Sequence, residues 1–76
     1  MKKEEIDPIL KDVITYVVES QRCSGKELQR KFETGYARTG RLIEALEKMG
    51  IVSQASNSER KVLAQKEDLE GYLKGV

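Results

Sequence analysis

The sequence contains no histidine and a single cysteine, Cys23. One thiol cannot form an internal disulfide, and a zinc site built from cysteine and histidine ligands is excluded. A catalytic triad that depends on an imidazole base is excluded as well. We therefore expect no catalytic residue, no metal and no cofactor, and we interpret Cys23 as a small buried apolar residue.

Long hydrophobic runs are also missing from the 76 residues. No apolar stretch approaches the roughly 20 residues that a membrane-spanning helix needs, and no apolar segment typical of a signal peptide follows the charged residues 2–5. The phosphate-binding motif G-x-x-x-x-G-K-[ST] of many ATPases does not occur. The expectation is one small cytoplasmic domain without a membrane partner and without enzymatic activity.

Neither sign of charge dominates, since the net charge is +1, but the charges are unevenly distributed. Residues 22–41 contain six basic and two acidic side chains, a net charge of +4, whereas residues 1–21 and 42–76 have net charges of −2 and −1. A basic segment of this kind is typical of phosphate binding, and a solvated basic surface is the alternative interpretation.

The first half of the chain has the hydrophobic spacing and the end signals of three helices. Asp7 and Pro8 predict a helix start, with Asp7 as N-cap and Pro8 at the first helical position. Ser24 and Glu27 predict a capping box, and Gly50 predicts a left-handed C-cap. The predicted helices cover residues 8–20, 25–32 and 35–49. Their predicted inward side chains are Leu10, Val13, Ile14, Val17, Leu28, Phe32, Leu42, Ile43, Leu46 and Met49.

After Gly50 the pattern changes to two short apolar segments, residues 51–54 and 61–64, around a polar turn-forming stretch. An antiparallel hairpin over residues 51–64 is the simplest interpretation. The order of elements predicts a mainly α fold with a small β-hairpin, a monomeric winged helix-turn-helix in which the hairpin is the wing.

A short C-terminal helix is predicted near residues 66–74, with Leu69 and Leu73 packed on the rest of the domain. The predicted units are a winged-helix DNA-binding domain over residues 6–64 and a C-terminal helical extension over residues 65–76.

The chain resembles the γ domain at the C-terminus of FtsK/SpoIIIE-type DNA translocases in the stretch CSGKELQRKFETGYARTGRLIEALEKMGIVS, followed by ERKVL. The run L-Q-R-K-F-x-x-G-Y with R-L-I-E behind it is far more specific than helix-turn-helix patterning alone. The resemblance covers about residues 6–64. The positions in register with the family pattern are Ser24, Leu28, Gln29, Arg30, Phe32, Gly35, Tyr36, Arg38, Arg41, Leu42, Ile43, Glu44, Glu47, Gly50, Ile51, Val52, Arg60, Val62 and Leu63.

The resemblance implies a winged helix that binds short, polar, G-rich sequences in double-stranded DNA and thereby orients a translocase motor on the chromosome. In FtsK the same domain contacts and activates the XerD tyrosine recombinase, so a recombinase-docking adaptor is the alternative function. The chain is either a piece of a translocase or a free-standing relative of the γ domain, and the sequence does not distinguish these two origins. Because one domain offers few phosphate contacts, we expect several copies side by side on one site.

Three helix positions and the wing depart from the family pattern. Ala37 replaces an asparagine, Thr39 and Gly40 replace two alanines, and the usual glycine near Asn57 is missing. The change at Ala37 removes an amide that could pair with a base edge. The arginines beside it are therefore the main candidates for reading bases.

The predicted DNA contacts lie on the second and third helices and at the base of the wing. They are Gln29, Arg30, Lys31, Tyr36, Ala37, Arg38, Arg41, Glu44, Arg60 and Lys61. Arg38 and Arg41 are the predicted readers, because a guanidinium pairs with O6 and N7 of guanine through two parallel hydrogen bonds. Small Ala37 and Gly40 would allow a close approach. The alternative is that both arginines pair with Glu44 or Glu47 on the protein surface.

The other contacts on the second and third helices have alternatives as well. Arg30 and Lys31 are interpreted as phosphate clamps, although one of them could serve solubility alone. Gln29 either bonds a phosphate or caps the turn. Glu44 either accepts a hydrogen bond from a cytosine amino group or is a solvated helix charge.

Tyr36 is interpreted as a core or turn residue rather than a base-stacking group, with a hydroxyl that could reach a phosphate. Arg60 is predicted to touch the DNA backbone or the minor groove from the base of the wing. The alternative for Arg60 is a surface salt bridge with Glu59 or with an acid of the tail.

Overall fold

The computed structural model describes residues 7–54 and 60–76. These ranges are mainly helical, and the first three helices begin and end within two residues of the predicted bounds. The predicted tail helix begins as a 3₁₀ turn and continues as α-helix. The elements are α1 (Leu10–Ser20), α2 (Gly25–Phe32), α3 (Tyr36–Lys48), the 3₁₀ turn Lys66–Asp68 and α4 (Leu69–Lys74).

The start of α1 lies two residues later than predicted. The Asp7 carboxylate accepts a hydrogen bond from the Ile9 amide at 3.1 Å, and the Asp7 carbonyl accepts one from the Leu10 amide at 3.0 Å. Because this bond spans three residues, it closes a turn before the helix. Asp7 therefore stabilises the turn before the helix, but the N-cap is Ile9. The placements of Asp7 as N-cap and of Pro8 at the first helical position are both wrong.

The start of α2 confirms one half of the predicted capping box. The Ser24 hydroxyl accepts a hydrogen bond from the Glu27 amide at 3.4 Å. The reciprocal half is wrong, because the Glu27 carboxylate accepts from the Tyr16 hydroxyl and from Arg22 Nη2, the latter at 3.0 Å. A cationic and a phenolic donor bind a carboxylate more strongly than a neutral amide does, so they hold the Glu27 side chain.

The hydrophobic core is formed mainly by the side chains that helical periodicity predicts to face inward. Of the ten predicted inward side chains, Phe32 and Met49 are half-buried and the other eight are buried. Cys23 is buried as expected, and burial raises the pKa of its thiol. Val18 of α1 and three residues that follow α3, namely Ile51, Val52 and Ala64, complete this core.

Gly50 ends α3 in the left-handed conformation that the sequence predicts, with φ of 78°. The Gly50 amide donates to the Glu47 carbonyl at 3.0 Å, and the Ile51 amide donates to the Leu46 carbonyl at 2.9 Å. This paired arrangement satisfies the last carbonyls of the helix and brings Ile51 against Leu46, both fully buried. The chain is thereby redirected into the segment that follows.

Residues 51–53 and 61–63 pair in antiparallel orientation. The Ser53 amide donates to the Lys61 carbonyl at 2.9 Å, the Leu63 amide donates to the Ile51 carbonyl at 2.7 Å, and Val52 forms a bridge with Val62. The pairing is shorter than the predicted strands, because Ile51 also accepts from the amide of residue 64, where the chain bends away. The predicted turn at residues 55–59 lies outside the described ranges.

A second antiparallel bridge joins Cys23, between α1 and α2, to Arg60. The C-terminal residues then return over α1, where α4 packs. Leu69, Tyr72 and Leu73 are half-buried against the core, which confirms the predicted docking of the tail. In the part of the chain described, no helix combines the length and apolar composition needed to cross a membrane.

Candidate nucleic-acid interface

The outer face of α3 is formed by small, charged and aromatic side chains that point away from the core. Ala37, Gly40, Arg41 and Glu44 are all exposed, whereas Thr39, Leu42, Ile43 and Leu46 on the opposite side are buried. This placement agrees with the predicted inward orientation of Leu42, Ile43 and Leu46. The exposed residues that we call the outer face are Tyr36, Ala37, Gly40, Arg41, Glu44 and Lys48.

Tyr36 is predicted from the sequence to be a core or turn residue, and the core alternative is wrong because Tyr36 belongs to this exposed face. Its side chain begins α3 and is 85% exposed. The physical reason is spacing, since Tyr36, Gly40 and Glu44 follow one another at intervals of four residues along a single side of the helix. That spacing was available in the sequence and could have identified an exposed ring.

The turn between α2 and α3 fixes how the outer face is presented. Glu33 adopts the left-handed conformation with φ of 54°, and the Gln29 carbonyl accepts from the amides of Glu33 and Thr34. The buried hydroxyls of Thr34 and Thr39 lie 2.5 Å apart and hydrogen-bond each other. This bond ties the turn to the first turns of α3 without using any outer-face side chain.

An open groove separates α2 from the outer face of α3, with a volume of about 470 Å³. Gly25, Ala37 and Gly40, which have little or no side chain, line this groove and leave it open. Gln29, half-buried on α2, lines the same groove, as does Arg41. Arg41 forms no salt bridge with any residue in the described ranges, so its guanidinium is available to an outside partner.

Arg38 is held by a carboxylate that sequence reasoning did not connect with it. Its Nε donates to Asp7 Oδ2 and its Nη2 donates to Asp7 Oδ1, both at 2.8 Å. These hydrogen bonds lower the pKa of the Asp7 carboxyl, and the nearby Arg41 charge lowers it further. The predicted alternative partners, Glu44 and Glu47, are therefore wrong for Arg38. A separation of 31 residues leaves no local spacing that would reveal the pair.

Arg60 braces the paired segments against α3. Its Nη1 donates to Glu47 Oε2 at 2.7 Å and to the Ser53 carbonyl at 3.2 Å. The side chain is 23% exposed. The salt bridge is therefore with Glu47 on α3, and among the described residues no tail acid pairs with Arg60. Glu59, the other suggested partner, lies outside the described ranges. The neighbouring Lys61 is exposed.

The basic residues of α2 lie on a different side of that helix from the groove beside α3. Arg30 and Lys31 are exposed and line a separate groove near Tyr16 and Arg22, away from the groove beside α3. Lys31 Nζ lies 5.2 Å from the centre of the Tyr16 ring, within cation–π range. Of the predicted contacts on α2, only Gln29 therefore shares a groove with the outer face.

Acidic ligands for a metal are not assembled at this interface. Among the described residues, no group of three or more histidine, cysteine, aspartate or glutamate side chains is placed to hold a metal ion.

The sequence of the chain is similar to a known domain family and to curated proteins. The family described as "Ftsk gamma domain" matches residues 4–65. The chain is 45% identical over 62 residues to DNA translocase FtsK of Shewanella oneidensis, covering 80% of the chain and 7% of the relative. It is 47% identical over 62 residues to DNA translocase FtsK of Vibrio parahaemolyticus, covering 80% of the chain and 6% of the relative.

A relative with lower sequence identity is also covered over only a small part of its length. The chain is 35% identical over 71 residues to DNA translocase FtsK of Caldanaerobacter subterraneus, covering 92% of the chain and 10% of the relative. The chain thus spans a small fraction of the length of each of these translocases. It belongs to the FtsK γ-domain family.

Proposed function

We propose that this chain is a binding module for double-stranded DNA that prefers short, polar, G-rich sequences. The outer face of α3 would enter the major groove, and the paired segments around Arg60 and Lys61 would form the wing of a winged helix-turn-helix. Such binding, in the cytoplasm, would orient a translocase on the chromosome. Membership in the γ-domain family and the name "DNA translocase" of its relatives support this proposal.

The observation that carries the proposal is the position of Arg41, an exposed cation that has no salt-bridge partner within residues 7–54 and 60–76 and lies beside small side chains. Arg41 is exposed and unpaired among the described residues, and it lies beside Ala37 and Gly40 in the groove next to α2. Small neighbours let a base pair approach the helix closely. A guanidinium there can donate two parallel hydrogen bonds to guanine, which suits a G-rich site.

The backbone arrangement supports the winged-helix part of the proposal. The pair α2–turn–α3 packs together, and residues 51–53 and 61–63 run antiparallel immediately after α3. The bridge from Cys23 to Arg60 adds a third segment beside them. These three short segments beside a helix-turn-helix support the winged-helix part of the proposal.

Phosphate contacts would supply most of the affinity in this proposal. Lys61 at the base of the wing is exposed, and Arg30 and Lys31 are exposed at the flank of α2. Each phosphate contact makes the logarithm of the association constant fall by about 0.9 per log unit of salt. A lone domain has few such contacts, so weak binding as a monomer and several copies side by side on a site are part of the proposal.

Selection from randomised duplexes tests this function without assuming a sequence. The chain is used to enrich double-stranded DNA from a random library, and dissociation constants are measured by fluorescence anisotropy at two salt concentrations. The proposal expects a G-rich winner that binds at least about tenfold more tightly than a scrambled duplex of equal composition, since one mismatched base pair costs about 1–3 kcal/mol.

Two results would contradict the proposal. One is a selection with no winner, and the other is an affinity that hardly changes with salt. If the chain bound no duplex but stimulated a purified tyrosine recombinase, the adaptor function would replace DNA reading.

A further inference from the structure

The Asp7–Arg38 pair uses one particular edge of the guanidinium. Arginine has five N–H donors, one on Nε and two on each Nη. Asp7 occupies Nε and one position of Nη2, both at 2.8 Å, which is the side-on bidentate geometry. The two N–H groups of Nη1 and the second N–H of Nη2 remain. One N–H of Nη1 and the second N–H of Nη2 form the end-on edge of the same plane.

The end-on edge of Arg38 is accessible. The Arg38 side chain is 41% exposed, and within residues 7–54 and 60–76 its Nη1 has no hydrogen-bond acceptor. Two adjacent coplanar donors are what the O6 and N7 atoms of guanine require. Asp7 and a guanine can therefore bind the two edges of Arg38 at the same time.

Asp7 is itself fixed, so it can hold Arg38 in one orientation. Its Oδ1 also accepts from the Ile9 amide at 3.1 Å, and its carbonyl accepts from the Leu10 amide at 3.0 Å. Ile9 packs against the core, and the Asp7 side chain is 23% exposed. An arginine that is already ordered loses less side-chain entropy when it binds a base.

We infer that Asp7 is a positioning residue, which holds Arg38 on the start of α3 with its end-on edge aimed at a guanine. This inference rests on the proposed function, because it assigns Asp7 a part in reading the same DNA site. It also explains why a carboxylate is tolerated beside a DNA-binding face, where it repels phosphates and weakens binding to every sequence.

If Asp7 has this role, removing its charge should change two properties in different ways: the discrimination between duplexes and the affinity for a scrambled duplex. Discrimination should fall, because Arg38 is no longer confined to one orientation. Affinity for a scrambled duplex should stay constant or rise, because a repulsive charge is gone and Arg38 is released toward the phosphates. A residue needed only for folding would lower both affinities together.

The test measures the ratio of dissociation constants for the scrambled and the selected duplex. Asp7→Asn is the central variant, since asparagine still caps a helix start but cannot accept both arginine bonds. Asp12→Asn removes an exposed acid from the first turn of the same helix and serves as the matched control. Thermal unfolding confirms that each variant is folded.

We expect Asp7→Asn to reduce the ratio at least about fivefold, the low end of what one bidentate base contact provides. The scrambled duplex should bind no more weakly than before, and Asp12→Asn should leave the ratio unchanged. In an Arg38→Ala background, Asp7→Asn should alter the ratio by less than about twofold, because Asp7 acts through Arg38.

A second measurement uses the unmodified chain and covers the case in which Asp7→Asn does not fold. In ¹⁵N NMR spectra the Arg38 Nε proton should be protected from exchange both in the free chain and in the complex with the selected duplex. Loss of that protection in the complex would overturn the inference.

The remaining outcomes separate this inference from the proposed function. A wild-type chain that discriminates, together with an Asp7→Asn variant that discriminates equally, would overturn the inference alone. Equal losses of Asp7→Asn on both duplexes would do the same. A wild-type chain that binds all duplexes alike would overturn both the proposed function and the inference.

Discussion

The inner and outer faces of α3 differ in side-chain size, in polarity and in what surrounds them. On the inner face Leu42 and Leu46 are buried among the other helices. On the outer face Gly40 and Arg41 are exposed beside an open groove. The inner face therefore determines stability, and the outer face can change with little effect on the fold. Variants of each face should separate these two properties.

The largest expected effect comes from the inner face. Leu46 is fully buried, so Leu46→Ala removes buried methyl groups and leaves a cavity. The free energy of unfolding should fall by about 2–5 kcal/mol in urea titrations. Lys48→Ala, an exposed change on the same helix, should stay within about 0.5 kcal/mol. Similar losses for both variants would show that the faces are not distinct.

Much of this two-sided helix could be predicted from the sequence. Apolar residues recur at helical spacing, and Gly50 marks the end of α3, because periodicity and end signals are local properties. The partners of the arginines could not be predicted in this way. Asp7 lies 31 residues from Arg38, and Arg60 reaches back to Glu47 on the preceding helix. Such pairs depend on how the elements pack.

A variant at the edge between the two faces should have an intermediate effect on stability. Glu47 is half-buried and accepts a hydrogen bond from Arg60, which also donates to the Ser53 carbonyl. Arg60→Ala should lower the free energy of unfolding by about 1–2 kcal/mol, because charge-assisted bonds in a partly buried site are lost. A double-mutant cycle with Glu47→Ala should give a coupling of about 1 kcal/mol. A coupling near zero would contradict the bracing of the paired segments by the Arg60–Glu47 pair.

A smaller effect, of opposite sign, is expected on the outer face. An added Cβ at Gly40 meets no atom within 4 Å, so Gly40→Ala should stabilise the fold by about 0.5–1 kcal/mol through helix propensity. DNA affinity should change little, since the family pattern has alanine there. Gly71→Ala on α4, also in open space, is the control away from the interface. A destabilised Gly40→Ala variant would contradict the open outer face.

The smallest effect concerns pH and the Asp7–Arg38 pair. Arg38 lowers the pKa of Asp7 below its ordinary value of about 3.9. The pair therefore stabilises the fold fully above that value, and its contribution is lost as pH falls through the lower pKa of the folded state. Asp7→Asn should cost about 0.2–1 kcal/mol at pH 7, since the pair is partly exposed.

The thermal-unfolding difference between wild type and Asp7→Asn should shrink towards zero near pH 2. Asp12→Asn controls for a general loss of one negative charge. A difference that stayed constant with pH would contradict the role of the Asp7 charge in stability.

The central claim is that the outer face of α3 reads bases, and two matched variants test it most directly. Dissociation constants of Arg41→Ala and Lys31→Ala are measured on the selected and the scrambled duplex. Arg41→Ala should cost about 1–3 kcal/mol on the selected duplex and much less on the scrambled one. Lys31→Ala should weaken both about equally, because a phosphate contact contains no sequence information. Equal losses of Arg41→Ala on both duplexes, or no loss on either, would contradict base reading by this face.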